Sequence, residues 1–411
     1  MCASPRRFFR KRILAPGGIL PYNGGMSITC RYAIIIVGAG PAGISTALHL
    51  AQTAPDLVKE TLIIEKSRHP RPKLCGGGIL PDGEAILERL GLDLGEVPHC
   101  DVDWARFDFA GRGMRFRPDK KRAYAFRTIQ RDAFDAWLAD KARQLGFRFL
   151  ENTTVEQVIP GEGFALVKTS RGVYRARVVV AADGASSIVR RAVNPHGKPR
   201  LARLLEVVTP PRPETSFHIQ SDSYFDYRYL PEGVQGYVWD FPTTRQGQAV
   251  RVRGIYDANI YNLSAAISLP EALADEFRRH GYILEEYRLE SQPLRWFDPK
   301  STFAMPGVLL AGDAAGADVL YGEGISFALG YGALAAEAIA AAFKHGDFSF
   351  RDYRRQILRS PMGAALCRRA AFARFFYFSL RWGPLQAFLW RRMGWFIRWL
   401  VRTFFIGWAR G

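Results

Sequence analysis

The 411-residue chain predicts an α/β protein: a dinucleotide-binding domain assembled from separated segments, an inserted antiparallel β-sheet domain, and a helical carboxy-terminus. Three observations carry this. Near the start, "YAIIIVGAGPAGISTALHLAQ" passes from an apolar run through glycines into a helical run. A strand buried on both faces of a parallel sheet has that composition. Near residue 313, "GVLLAGDAAG" again joins a buried strand to a glycine turn and leads into the helical "ISFALGYGALAAEAIAAAF". Between them, residues 205–260 are rich in aromatic and β-branched residues, which fit a half-buried pleated surface.

The elements follow in order. Gly38, Gly40 and Gly43, with Pro41 and Ala42 between them, form G-x-G-x-x-G. The first glycine permits the tight turn, the second lets a pyrophosphate approach the backbone, and the third lets helix pack on strand. The helix N-terminus then turns its partial positive charge toward the phosphates, as in a Rossmann-like domain. A second strand, "TLIIEK", ends in Glu65 and Lys66, and an acid there can accept hydrogen bonds from a ribose. "DWARFDFAGRGMRFRP" alternates as a β-hairpin with "AGRG" as its turn. "TIQRDAFDAWLADKARQLG" is a helix closed by Gly146. "FRFLENTTVEQVI", "FALVKTS" and "VYRARVVVAADG" read as strands, and residues 270–290 as a helix. This ordering assigns 27–75, 128–204 and 296–345 to the dinucleotide domain, and 76–127 and 205–295 to a substrate domain. Residues 1–26 read as a flexible tail with Met26 as good a start as Met1, and 346–411 as a basic, aromatic helical region.

The five cysteines, Cys2, Cys30, Cys75, Cys100 and Cys367, are widely spaced and form no C-x-x-C. That argues against a disulfide framework, a structural zinc site or an iron–sulfur cluster, and fits a reducing cytoplasm. The seven histidines show no metal-ligand spacing, so no metal is expected. The net charge of +18 calls for an explanation, because a basic protein seeks nucleic acid, an anionic membrane or an acidic partner. Its placement separates these. From Tyr353 to Gly411 there is no Asp or Glu, and arginines alternate with Phe and Trp. No apolar run reaches the roughly 18 residues of a spanning helix. On a helical wheel Arg391, Arg398 and Arg402 share one face, Trp395 and Trp399 flank it, and Phe396, Leu400 and Phe404 lie further round. That pattern describes a helix lying in a membrane interface, and it disfavours nucleic acid as the partner. The expected location is cytoplasmic with peripheral membrane contact.

The stretch "RPKLCGGGIL" places Cys75 before Gly76, Gly77 and Gly78. Successive glycines have a large backbone-entropy cost, so they mark a loop that moves or closely approaches something. "YVWDFP" places Tyr237, Trp239 and Phe241 on one face of a strand, with Pro242 expected to end it.

Together these motifs resemble the p-hydroxybenzoate-hydroxylase-like flavoproteins over roughly residues 30–345. "VGAGPAG" with "LIIEK" looks like their FAD-binding start, and "VVVAADGASSIVRR" with Asp183 and Gly184 like their D-G motif. "LLAGDAAGADVLYGEGISFALGYG", with Gly312, Asp313, Gly322, Gly324 and Ile325, looks like their G-D motif. The resemblance implies bound FAD, with Asp313 on the ribityl chain and Arg131 of "IQRDAFDAWL" brought to the cofactor. For Arg131 the alternative is an ion pair with Asp132 or Asp135, and for Asp183 a turn or cap.

"RPKLCGGGIL" further resembles the P-C-G-G loop of the geranylgeranyl reductase family, with Leu74 where that family usually has proline. "YVWDFP" matches its Y-x-W-x-F-P motif at each defined position. This branch implies reduction of isoprenoid C=C bonds, with Cys75, Gly76 and Gly77 at the reacting carbons and a prenyl lipid against Tyr237, Trp239, Phe241 and Pro242. NAD(P)H or a ferredoxin-type partner would reduce the flavin. The alternatives are a flavin monooxygenase or dehydrogenase on another hydrophobic or quinone-like substrate, and an electron-carrying flavoprotein subunit at a membrane. Lys73 raises flavin-dependent halogenation, which uses a lysine near the flavin with W-x-W-x-I-P; Tyr237 and Phe241 depart from that motif.

Overall fold

A computed structural model describes residues 20–21, 27–109, 112–117, 122–197, 200–213, 219–261, 265–378, 395, 399 and 407–409. Five parallel strands form the centre of the first sheet: Arg148–Leu150, Thr61–Ile64, Ser27–Val37, Gly172–Ala181 and Val308–Leu310. They come from far-apart parts of the chain, and all five carboxyl ends lie at one edge. The strand cores are apolar on both faces, with Ile34, Ile35, Ile36, Val179 and Leu309 fully buried. Helices Pro41–Thr53 and Ile325–His345 pack against each other beside this sheet. The second of these is the one described helix long and apolar enough to cross a bilayer, and it lies in the core.

The second sheet takes its strands in the order Glu290–Arg295, Leu201–Thr209, Gln248–Asp257, Gly236–Arg245, Ser223–Asp226, Ala105–Phe109 and Arg112–Phe116. One face packs on helix Leu269–Arg279, and the other, with Tyr237, Trp239 and Tyr256, clusters with Trp296, Val319, Leu320 and Tyr377. A small third sheet, Gly78–Ile79 with Phe126–Ile129 and His99–Val102, ties the end of the glycine loop to the interior.

Several expectations are corrected. The second sheet is not wholly antiparallel, because Ser223–Asp226 runs parallel to Ala105–Phe109. The long chain path between those strands permits either direction. Pro242 does not end its strand, which continues to Arg245. The neighbouring strand reaches only as far as Tyr224 opposite Asp240, so the missing N–H of Pro242 falls beyond the ladder on that edge. The helix over 270–290 is shorter, Leu269–Arg279, and Gly281 at φ +74° breaks it before a 3₁₀ turn at Leu284–Glu286. The boundary expected at 204/205 falls inside the strand Leu201–Thr209. Within the amino-terminal tail, Leu20 and Pro21 pair with Ile28 and Ser27; the rest of residues 1–26 lies outside the described residues.

The carboxy-terminal region divides. Helix Pro361–Phe378 docks on the core and buries Met362, Leu366, Ala373 and Tyr377. Arg369, fully buried, ion-pairs with Asp318 at 3.0 Å and with Glu323 at 2.5 Å. Of the expected interfacial helix, Trp395 and Trp399 are described: both are helical, and 65% and 50% exposed. Arg391, Phe396, Arg398, Leu400, Arg402 and Phe404 lie outside the described residues. Beyond them the chain returns to the core. Gly407 N and Ala409 N donate to Asp82 at 2.9 and 2.8 Å, and the Trp408 ring stacks on Phe327.

Removing one partner of a buried charge pair leaves the others uncompensated. Arg369→Met is therefore expected to destabilise the fold by about 3–5 kcal/mol, measured by urea denaturation. The exposed Arg368→Met should change it by about 0.5 kcal/mol or less.

Candidate active site

All five parallel strands end at the same edge, so the segments after them converge on one crevice. Ligands bind at this place in an open α/β sheet. The cavity there has a volume of ≈ 430 Å³ and continues without a break to the second sheet.

At the nucleotide end, Gly38 has φ +99°, and a Cβ there would lie 2.3 Å from Ala182 O. Gly43 is closed from behind, where a Cβ would sit 2.0 Å from Gly38 O. Gly40 differs: a Cβ would meet nothing nearer than Arg71 Nη2 at 3.7 Å. The turn and the helix seat thus need two of the glycines, while the third leaves open a cradle at the amino end of helix Pro41–Thr53. Pro41, Ala42 and Lys66 line the same cavity. Glu65 Oε2 accepts from Ala39 N at 2.8 Å, and Oε1 from Ser67 N at 3.2 Å, so the acid is fixed at the strand end. Arg71 lies 3.3 Å from Glu65 and 3.4 Å from Asp135.

Arg131 lines the cavity and forms a bidentate pair with Asp135 at 2.9 and 3.0 Å. Its ion-pair role and its cavity position coexist. Burial works against the guanidinium charge, but Asp135 and the Cys75 sulfur hold it protonated. Asp183 also lines the cavity, while its carboxylate accepts from Ser187 Oγ, Ile188 N and Val189 N. That is a local cap, the alternative weighed for this residue. Gly184 beside it adopts φ +83°.

Asp313 follows Val308–Leu310 and lines the cavity with Gly322, Gly324 and Ile325. Burial raises its pKa, against the opposing charges of Lys73 and Arg131. Lys73 has its pKa lowered, by burial and then by Arg131. Gly312 stands behind the cavity at φ +59°, where a Cβ would press on Ala42 at 2.6 Å.

At the other end, Tyr237, Trp239 and Phe241 share the cavity face of their strand with Tyr256 and Phe225. Phe225 lies 5.0 Å from Phe241 and 5.2 Å from Tyr237 between ring centroids. Pro242 is not in the cavity wall; its carbonyl accepts from Thr128 Oγ1. The glycine loop spans the two ends. A Cβ on Gly76 would come within 3.1 Å of the Phe241 ring and 3.4 Å of Trp239 Nε1. Gly77, at φ +75°, is turned away against Ile129 O. Cys75 Sγ accepts from Gly77 N at 3.4 Å.

Sequence reasoning missed Glu206. It projects into the cavity from Leu201–Thr209, is 5% exposed, and accepts from Cys75 N at 3.2 Å. Burial, aided by Glu290, pushes its pKa up to about 8, against the Cys75 N–H, Arg131 and Lys73. Its signal was an acid between Leu205 and Val207 in a mostly apolar strand, "LARLLEVVT".

A family model described as "FAD binding domain" matches residues 31–343. An uncharacterized protein of Methanosarcina barkeri is 26% identical over 334 residues, covering 80% of this chain and 81% of its own. FixC of Escherichia coli K12 is 26% identical over 363 residues, covering 80% and 82%. The crystal structure of a geranylgeranyl bacteriochlorophyll reductase-like protein from Thermoplasma acidophilum superposes with TM-score 0.70 at 22% identity, covering 85% of this chain and 89% of that one. The last shows a shared fold.

Two outcomes are expected. Gly38→Ala, strained and clashing at once, should give a protein that purifies without the visible flavin absorbance. For Glu206, folding retains a proton that the unfolded chain releases from its ordinary value of 4.5 upward. The unfolded state binds fewer protons between about 4.5 and 8, so this group lowers stability as pH rises through that window. Glu206→Gln should flatten that part of the Tm–pH curve.

Proposed function

We propose that this chain, which belongs to the FAD-binding-domain family, is a flavin-dependent oxidoreductase that reduces isolated C=C bonds of an isoprenoid lipid. One observation carries the reading: a single cavity joins the dinucleotide cradle to an aromatic wall, and the Cys75–Gly76 loop packs on that wall between them.

The residues fit FAD. The open cradle at Gly40 and the helix end behind it suit a pyrophosphate. Glu65 suits a ribose, and Arg71, Lys73 and Arg131 offset the anionic charge. Asp313, Gly322, Gly324 and Ile325 would hold the flavin end. When bound and reduced, the cofactor supplies hydride. The chain itself does the rest. Tyr237, Trp239, Phe241, Phe225 and Tyr256 form an apolar slot that excludes water, which suppresses its competition for a cationic transition state. The Tyr237 and Tyr256 hydroxyls donate to the Tyr321 and Val319 carbonyls, so the slot presents rings rather than hydroxyls. Gly76 lets the loop lie flat on Trp239 and Phe241. Cys75 shapes the wall beside the reacting carbons.

A reduced dinucleotide or a ferredoxin-type protein supplies the electrons. The lipid enters from a membrane that the carboxy-terminal helix touches. Trp395 and Trp399, four residues apart and exposed, support that contact, because such rings favour the headgroup level.

Anaerobically reduced protein mixed with geranylgeranyl diphosphate should reoxidise its flavin and yield a product two hydrogens heavier per bond. A flavin that stays reduced with the lipid, yet reacts productively with oxygen and another substrate, would place the protein among monooxygenases. Trp395→Ala/Trp399→Ala should weaken sedimentation with anionic vesicles by about tenfold; unchanged sedimentation would remove this contact.

A further inference from the structure

We propose that Glu206 is the acid that protonates the alkene carbon, and that Cys75 orients it rather than donating the proton. This rests on the prenyl-reduction reading above.

The register of the second sheet places the group. Glu206 is paired with Gly254, and Gly254 with Trp239, so the three stand in one line across three strands on the cavity face. Gly254 is glycine for a steric reason: a Cβ there would lie 2.4 Å from Trp239 Cζ2. The indole occupies that space, so the aromatic wall runs sideways toward Glu206 with no side chain between. Trp239 Nε1 is buried without a hydrogen-bond partner among the described residues.

Two hydroxyls on the wall are engaged. Tyr237 and Tyr256 donate to backbone carbonyls. Cys75 Sγ accepts from Gly77 N at 3.4 Å, which turns the sulfur back onto its own loop. Glu206 takes the Cys75 N–H on Oε1, and among the described residues no hydrogen bond engages Oε2. The loop cysteine thereby fixes the carboxyl through its backbone, leaving one oxygen to carry a proton into the cavity. Glu290, Lys73 and Arg131 are the titratable groups that act on it, and the Cys75 backbone N–H is its hydrogen-bond donor. Burial, aided by Glu290, keeps the acid protonated to about pH 8, while Arg131 and Lys73 offset the carboxylate left after transfer.

The step balances. The alkene π pair takes the proton from Glu206 Oε2 and forms one C–H bond. The other would come from hydride, which a bound, two-electron-reduced flavin would supply. Glu206 is left as carboxylate and regains a proton from solvent before the next bond is reduced.

The test uses the holoenzyme and Glu206→Gln, which is isosteric and keeps an oxygen for the Cys75 N–H. In apoprotein and holoprotein at neutral pH, infrared difference spectra should show a protonated carboxyl C=O band that Glu206→Gln removes. In single turnovers of the reduced holoenzyme with geranylgeranyl diphosphate, Glu206→Gln should reoxidise its flavin about 10²- to 10⁴-fold more slowly. The wild-type rate should fall above about pH 8, and the variant should lack that limb. Cys75→Ala should slow turnover by roughly tenfold or less and keep the limb. Absence of the carboxyl band, or a Glu206→Gln rate within about threefold of wild type while Cys75→Ala nearly stops turnover, overturns the assignment and returns the proton to the thiol. Wild-type protein that never reoxidises with the prenyl probe overturns the function reading and this step together.

Discussion

The parallel alignment of five strand ends governs the rest of this molecule. Just past the strand ends the N–H groups of Gly38, Glu65, Ala182 and Ala311 still bond a neighbouring strand, and beyond them the ladder stops and the chain turns. The segments after Val37, Ile64, Leu150, Ala181 and Leu310 therefore share one edge, although they are scattered from residue 38 to residue 313. The glycine at 38 exists because the Ala182 backbone comes within 2.3 Å of the place a side chain would fill. Sheet register and cofactor cradle are thus one constraint, and the inserted domain is free to vary as long as it returns the chain to the sheet.

The second constraint is the closeness of the glycine loop to the aromatic wall. Gly76 touches Phe241 and Trp239, Gly77 is held at positive φ against Ile129, and Gly78 begins the small sheet. The loop bridges two domains with one residue facing each neighbour. Its backbone N–H at Cys75 ends on Glu206. A Cβ at Gly76 would require the Phe241 ring to give by a few tenths of an ångström.

Much of this was legible in the sequence. The strand–glycine–helix start, the second glycine–aspartate turn and the alternating aromatics each encode a local geometry with its own period or turn residue. What stayed hidden depends on who meets whom across the fold. Glu206 reads locally as one acid in a strand, and its role follows only from register with Gly254 and Trp239. The cap made by Asp183 depends on the short turn after it, which sequence periodicity does not resolve. Pro242 inside a strand was misread because the end of the neighbouring strand, which makes it tolerable, is not a local property. The buried Arg369 cluster was likewise invisible: in a region without acids the arginines read as a surface charge, yet this one meets Asp318 and Glu323 from the preceding loop.

The central claim is that flavin and hydrocarbon chain share one cavity. A crystal structure of the FAD-loaded protein with a non-hydrolysable geranylgeranyl thioether tests it directly. The account predicts the prenyl chain against Tyr237, Trp239 and Phe241, with an alkene held between the isoalloxazine and the Glu206 carboxyl. A chain bound elsewhere, or a flavin seated across the aromatic wall so that no chain fits, would contradict it.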